Sequence, residues 1–147
     1  KWPNDIYWHD KKIAGILIEN VLSGSTFSRA IIGMGLNINQ KNFYSDAPNP
    51  VSLHQITGHT YKIEKILDEF TEALGKRYTD TFTNSSDRIH KEYIAALYRN
   101  DGVYPFYSDG NIFHASIADV ELDGHLLLLT ESGEKKRFAF KEVSFLL

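Results

Sequence analysis

The spacing of apolar residues changes character twice along this chain, and each change marks a shift in expected structure. Residues 1–8 alternate moderately and end at a polar turn, Trp8-His9-Asp10-Lys11. Residues 12–20 are rich in Ile and Leu, which predicts a strand buried on both faces. Leu22-Ser23-Gly24-Ser25-Thr26 is a turn cluster, and residues 28–38, with Ala30, Ile31 and Ile32 in their core, predict a third strand. Three strands joined by short turns predict an antiparallel meander.

Residues 40–50 carry two prolines among small polar residues, the composition of a long surface loop, and such loops often serve function. Ser52 can cap a short helix through Leu53-His54-Gln55-Ile56, stopped by Gly58. From Lys62 the period becomes helical: Ile63, Ile66, Leu67, Phe70, Leu74 and Tyr78 form one stripe of a helix running to about Phe82. Gly75 weakens that helix by roughly 1 kcal/mol against Ala, which suggests a close packing contact there. Asn84-Ser85-Ser86 breaks it and offers an N-cap to a second helix striped by Ile89, Tyr93, Ala96 and Leu97.

After Asn100 the pattern returns to short β-rich runs: Val103–Tyr107, Ile112–Leu122, Leu126–Thr130 and Lys136–Phe140. Asp101-Gly102, Asp109-Gly110, Asp123-Gly124 and Ser132-Gly133 punctuate them, and Asp-Gly between such runs is a strong hairpin signal. The expectation is a small antiparallel barrel of the SH3 type, with a domain boundary near Tyr98–Asn100.

Composition narrows the function classes. With 42% apolar and 24% charged residues the 147-residue chain can bury a core. A net charge of −3 argues against a nucleic-acid footprint. The absence of cysteine excludes disulfides, thiolate nucleophiles and Cys-ligated zinc. The six histidines are scattered without metal-ligand spacing, so no structural metal site is expected. The longest apolar run, Leu126–Leu129, is too short to span a membrane, and a cytoplasmic location is the default.

Lys12 is the most informative charge, because the six residues after it, Ile13 to Ile18, contain nothing polar. Its ammonium at the mouth of an apolar layer could hold a carboxylate or phosphate, or could simply snorkel from a strand end. Gly15, Gly33 and Gly35 lie inside strand patterns, where glycine marks a bulge, tight sheet packing or the close approach of a flat ligand. Asp5 follows Pro3-Asn4 and fits an Asx-turn. Asn37 and Asn39 alternate with Leu36 and Ile38; their amides suit phosphate oxygens, metal-bound water or turn formation.

Taken together, Lys1-Trp2-Pro3-Asn4-Asp5, Lys12-Ile13-Ala14-Gly15-Ile16-Leu17-Ile18-Glu19 and Gly33-Met34-Gly35-Leu36-Asn37-Ile38-Asn39 resemble the biotin protein ligases (biotin–[acetyl-CoA-carboxylase] ligases) in order and spacing. The downstream loop, Val51-Ser52-Leu53, two helices and small barrel agree in layout. The resemblance implies an α+β fold: part of a mixed sheet with helices, like that of class II aminoacyl-tRNA synthetases and biotin ligases, over residues 1–98, then an SH3-like β-barrel over 99–147. It also implies activation of biotin by ATP to biotinyl-5′-AMP and transfer to a lysine of a biotin carboxyl carrier protein domain, with Mg²⁺ assisting. A homodimer is compatible with it; nucleic-acid or membrane partners are not expected.

By the same resemblance Lys12 is the catalytic lysine and contacts biotin. Gly15, Leu17, Gly33 and Gly35 form the biotin slot. Asp5 and Asn37 face ATP and Mg²⁺, Lys1 lies on the phosphate side, and loop 40–50 orders over the adenine. The family's Gly-Arg-Gly-Arg-x-Gly-Arg-type loop and its Ser/Thr-Gln region precede position 1 and are absent from this sequence. The expectation is therefore a chain holding about half an active site, inactive in isolation. A lipoate ligase-like acyltransferase and a non-catalytic docking module are the competing readings.

Overall fold

A computed structural model describes residues 1–24, 26–44, 48–83 and 86–146. Residues 45–47 of the expected loop and Asn84-Ser85 of the expected helix break lie outside the described residues. The chain divides into two compact units, Asn4–Arg77 and Lys1–Pro3 with Tyr78–Leu147. Among the described residues two sheets and three helices make the mixed α and β class expected.

The first unit opens with the predicted meander. Strands β1 (Asp5–Trp8), β2 (Lys11–Ser23) and β3 (Thr26–Leu36) pair antiparallel in sequence order. His9 takes φ 50 in the turn between β1 and β2, a left-handed conformation that histidine tolerates better than most residues. Helix α1 (Leu53–Thr57) starts as the sequence indicates: the Ser52 hydroxyl accepts from Gln55 N, the Gln55 side chain accepts from Ser52 N, and Gly58 ends the turn at φ 76. Those reciprocal bonds satisfy helix N–H groups that otherwise lack partners. Helix α2 (Ile63–Thr83) then runs across the division between the units.

Two expectations fail in this unit. β2 is not buried on both faces: Ala14 is 3% exposed, but the adjacent Leu17 and Ile18, which point to opposite faces, are 61% and 55% exposed. Among the described residues the outer half of the β2–β3 hairpin has no covering layer, so its apolar run does not report burial. Nor does Gly75 mark a close contact, since no described atom lies within 4 Å of where its Cβ would sit. The α2 stripe it interrupts is itself exposed at Ile63, Leu67 and Leu74.

The second unit holds most of the buried apolar core. Trp2, Leu97, Phe106, Ala115, Val120, Leu126, Leu128, Phe138 and Val143 cluster together, flanked by Ile94, Tyr104, Phe113, Ile117 and Phe145. Helix α3 (Ser86–Ala95) leads into the antiparallel strands β4 (Tyr104–Ser108), β5 (Asn111–Val120), β6 (Leu126–Thr130), β7 (Lys135–Phe138) and β8 (Ser144–Phe145). Their sheet order is β7-β6-β5-β4-β8. Asp109 and Gly110 both have positive φ, 50 and 81, which gives the primed turn whose twist matches the β4–β5 hairpin. Trp2 supplies the least local contact: its ring is 4% exposed, and its Nε1 donates to Gly124 O at 3.0 Å. No described helix is long and apolar enough to cross a membrane.

Candidate functional site

The arrangement around Lys12 begins with a defect in strand pairing. Asp5 pairs with Gly15 and Ile6 with Ala14, whereas Tyr7 pairs with Lys12, so the register slips by one residue and leaves Ile13 as a bulge. In an uninterrupted strand, residues 12 and 15 would point to opposite faces. The bulge cancels that half-period, and bulges characteristically re-aim a side chain in this way. As a result Lys12 Nζ reaches Asp5 Oδ1 at 2.5 Å, and a Cβ on Gly15 would stand 3.5 Å from Lys12 Nζ and 3.6 Å from Asp5 Oδ1.

The remaining register extends this group into a row. Gly15 pairs with Gly35, and Leu17 with Gly33. Directly opposed residues share a face, as do residues two apart, so Asp5, Gly15, Gly35, Leu17 and Gly33 all lie on one side of the sheet. The ion pair caps one end of a strip nearly free of side chains. No described atom lies within 4 Å of a Cβ built on Gly35, and the one near Gly33 is Leu17 O at 3.9 Å. The Lys12 and Asp5 side chains are 32% and 19% exposed, so the charges are partly shielded yet open to a ligand.

Asn37 adjoins this group but faces inward. Its backbone N–H donates to Ile13 O at 2.9 Å, and its Nδ2 donates to Val51 O at 3.2 Å and, at a long 3.5 Å, to Lys12 O. With its amide hydrogens on backbone carbonyls, Asn37 offers a ligand its Oδ1 acceptor, which suits a cation or water better than a phosphate oxygen. Asn39 is a fastener: its Nδ2 donates to Tyr61 O at 2.8 Å and its Oδ1 accepts from Tyr61 N at 2.9 Å. Lys1 belongs to the other unit, where its ammonium lies 4.8 Å from the Phe145 ring centroid.

The sequence reading missed the segment Asn49–Ser52 as a neighbour of Lys12. Pro50 forms a parallel bridge with Lys12: Lys12 N–H donates to Asn49 O at 3.0 Å, and Val51 N–H donates to Lys12 O at 2.8 Å. Asn49 adopts φ 42 to make the turn into this bridge, a conformation asparagine tolerates. Pro-Asn-Pro followed by a helix cap indicates a turn and a stop, and nothing in those residues names a strand partner so far upstream.

The second unit gathers a different polar group. Glu121, Asp123 and His125 present ligand-type atoms within 4.8 Å of one another, and Arg137 sits among them, with its Nε 2.5 Å from Glu121 Oε2 and its Nη2 on Asp123 Oδ2. The His125 side chain and backbone hydrogen bonds, with the Arg137 charge, hold the Asp123 carboxyl below its usual range; the hydrogen bond to Glu121 and the charges of Asp123 and Glu121 push the Arg137 guanidinium up.

Residues 1–37 match the family model described as the biotin/lipoate A/B protein ligase family. The chain is 29% identical over 147 residues to a bifunctional ligase/repressor BirA of Bacillus spizizenii, across 95% of this chain and 44% of that protein. It is 30% identical over 103 residues to a biotin–[acetyl-CoA-carboxylase] ligase of Paracoccus denitrificans, across 67% of this chain and 43% of that protein. Its fold is similar to the structure of a biotin protein ligase from Aquifex aeolicus in complex with biotin and ATP, with a TM-score of 0.69 and 22% identity over 97% of this chain and 59% of that chain. The chain thus spans less than half the length of these two curated relatives. In sequence and in fold it corresponds to the C-terminal portion of biotin protein ligases.

Proposed function

We propose that this chain forms part of a biotin protein ligase and carries the lysine that assists biotin adenylation. The observation that carries this reading is Lys12, ion-paired to Asp5 at 2.5 Å at the end of the glycine row. In the proposed reaction a biotin carboxylate oxygen attacks the α-phosphorus of ATP, and the bond to pyrophosphate breaks, giving biotinyl-5′-AMP. The amine of a carrier-protein lysine then attacks the acyl carbonyl, and AMP leaves. Lys12 would bridge the biotin carboxylate and the α-phosphate, aligning the attack and offsetting charge that builds on phosphorus. A compact ammonium with three donors suits that task.

The strip formed by Gly15, Leu17, Gly33 and Gly35 would receive the biotin rings and chain. Asp5 and Asn37 Oδ1 supply the oxygen ligands a hard cation prefers, so they would hold Mg²⁺, which supplies charge neutralisation on the phosphates. The same proposal includes an SH3-like barrel over 99–147 after a catalytic portion over 1–98, supported by the strongly paired short strands and their shared aromatic core. It also includes the carrier domain of acetyl-CoA carboxylase as acceptor, a homodimer, and a cytoplasmic location, where ATP and the carrier meet. The family model spans biotin and lipoate ligases, and the curated relatives named above favour biotin.

Lys12→Ala in the protein at its natural length tests this. Biotin-dependent ATP–pyrophosphate exchange should fall by about 10²–10³-fold. Folding should be unchanged, because a partly exposed ion pair adds about 1 kcal/mol at most. Exchange retained within about threefold would remove Lys12 from the reaction.

A further inference from the structure

We propose that Ser52 is a positioning residue for Lys12, acting through the backbone of Asn49–Leu53; its kinetic consequence rests on the biotin-ligase reading. Ser52 is fully buried, at 0% exposure, in a unit whose other buried side chains among the described residues are Ala14 and Val51. A buried hydroxyl is stable only when paired, and this one is paired twice. It donates to Gln40 O at 2.5 Å and accepts from Gln55 N at 3.1 Å, while Ser52 N–H donates to Gln55 Oε1 at 3.2 Å. These bonds fix the peptide units on either side of Ser52.

The groups that grip the site lie on these peptide units and on their neighbours in the same segment. On the N-terminal side, Val51 N–H holds Lys12 O, and Asn49 O receives Lys12 N–H. Val51 O also receives Asn37 Nδ2. On the C-terminal side, Leu53 N–H donates to Asn37 O at 3.0 Å, and His54 N–H donates to Ile38 O at 2.8 Å. Both backbone polar groups of Lys12 therefore end on the segment that this buried hydroxyl ties to Gln40 and Gln55. Lysine is long and flexible, so the place its ammonium can occupy depends on where its Cα is held and on Asp5. A displacement of about 1 Å at a positioned group is enough to slow a reaction substantially.

The test uses Ser52→Ala, Ser52→Thr and Gln55→Ala in the protein at its natural length. Ser52→Ala should lower kcat for biotin-dependent pyrophosphate exchange about tenfold, with KM for biotin and ATP within about twofold, and Ser52→Thr should restore most of the rate. Combined with Lys12→Ala, Ser52→Ala should slow exchange no further, because groups acting as a unit are not additive. An unchanged kcat, or a fully additive double variant, overturns the proposal. Gln55 is exposed, so Gln55→Ala keeps the test open if Ser52→Ala fails to fold; it should lower kcat about threefold, and no change counts against the proposal. If the unsubstituted protein shows no exchange, the biotin-ligase reading fails separately. Amide hydrogen exchange then decides positioning: Lys12 and Val51 should exchange about tenfold faster in Ser52→Ala, or Gln55→Ala if needed, and equal rates overturn the proposal.

Discussion

Lys12 and Gly15 share one side of β2 although they stand three positions apart, because the bulge at Ile13 shifts the pairing with β1 between Ile6 and Tyr7. Gly15 consequently lies beneath the Lys12–Asp5 ion pair, with room for a methyl group at ordinary contact distance but for little more.

That spacing predicts a sharp size dependence at position 15. Gly15→Ala should keep adenylation within about threefold, since its Cβ meets Lys12 and Asp5 at 3.5 and 3.6 Å. Gly15→Val adds branches that must displace the pair and should reduce the rate about a hundredfold. Pyrophosphate exchange by the three forms measures this. Equal loss in both variants would mean that the glycine serves backbone approach instead.

Trp2 should contribute more to stability than its place at the edge of the sequence suggests. Trp2→Ala removes a ring that is 4% exposed and the donor to Gly124 O, and should cost about 3–5 kcal/mol. Trp2→Phe keeps most of the packing and gives up the hydrogen bond to Gly124 O, on an exposed residue that water reaches, a cost of about 0.5–1.5 kcal/mol. Urea denaturation gives both values, and a loss below about 1 kcal/mol for Trp2→Ala would contradict the burial.

The Asp123 carboxyl predicts a pH signature. Its folded pKa is lowered from 3.8, first by the His125 side chain, then by the His125 backbone N–H, and also by Arg137. A depressed carboxyl stabilises the fold above its unfolded pKa, and that stabilisation is lost as pH falls through the lower folded value. The melting temperature of the unsubstituted protein should therefore exceed that of Asp123→Asn near about pH 6 and converge with it below about pH 3. A gap that stays constant across this range would show that the carboxylate charge is not responsible.

How much of this was readable beforehand depended on the range of the forces involved. The Ser52 cap rests on contacts within a few residues, and the meander and the Asp109-Gly110 hairpin start from short turns, so local chemistry announced them. The bulge at Ile13 did not announce itself, since an apolar residue in an apolar strand carries no mark of being unpaired. Burial was misjudged for the same reason: Leu17 and Ile18 look like core residues, but exposure depends on what else covers the sheet. The two-residue β8 is too short to have a period, and the pairing of Trp2 with Gly124 joins residues 122 positions apart. At the candidate site, Lys12 and the glycines stood out as residue types out of place, whereas Asn49–Ser52 looked like an ordinary turn and cap.

Because Lys1–Pro3 groups with Tyr78–Leu147 while Asn4–Arg77 forms its own unit, the chain passes between the units twice, at Pro3–Asn4 and at Arg77–Tyr78. In topological terms the unit that bears Lys12 is an insertion within the other. No single cut can separate them intact: a protease acting once near residue 98 would strand Trp2 on the wrong fragment, away from Phe106, Leu126 and the rest of its core. Dissecting this molecule into working parts would call for two incisions, or for a permuted chain in which Lys1–Pro3 is carried at the other end.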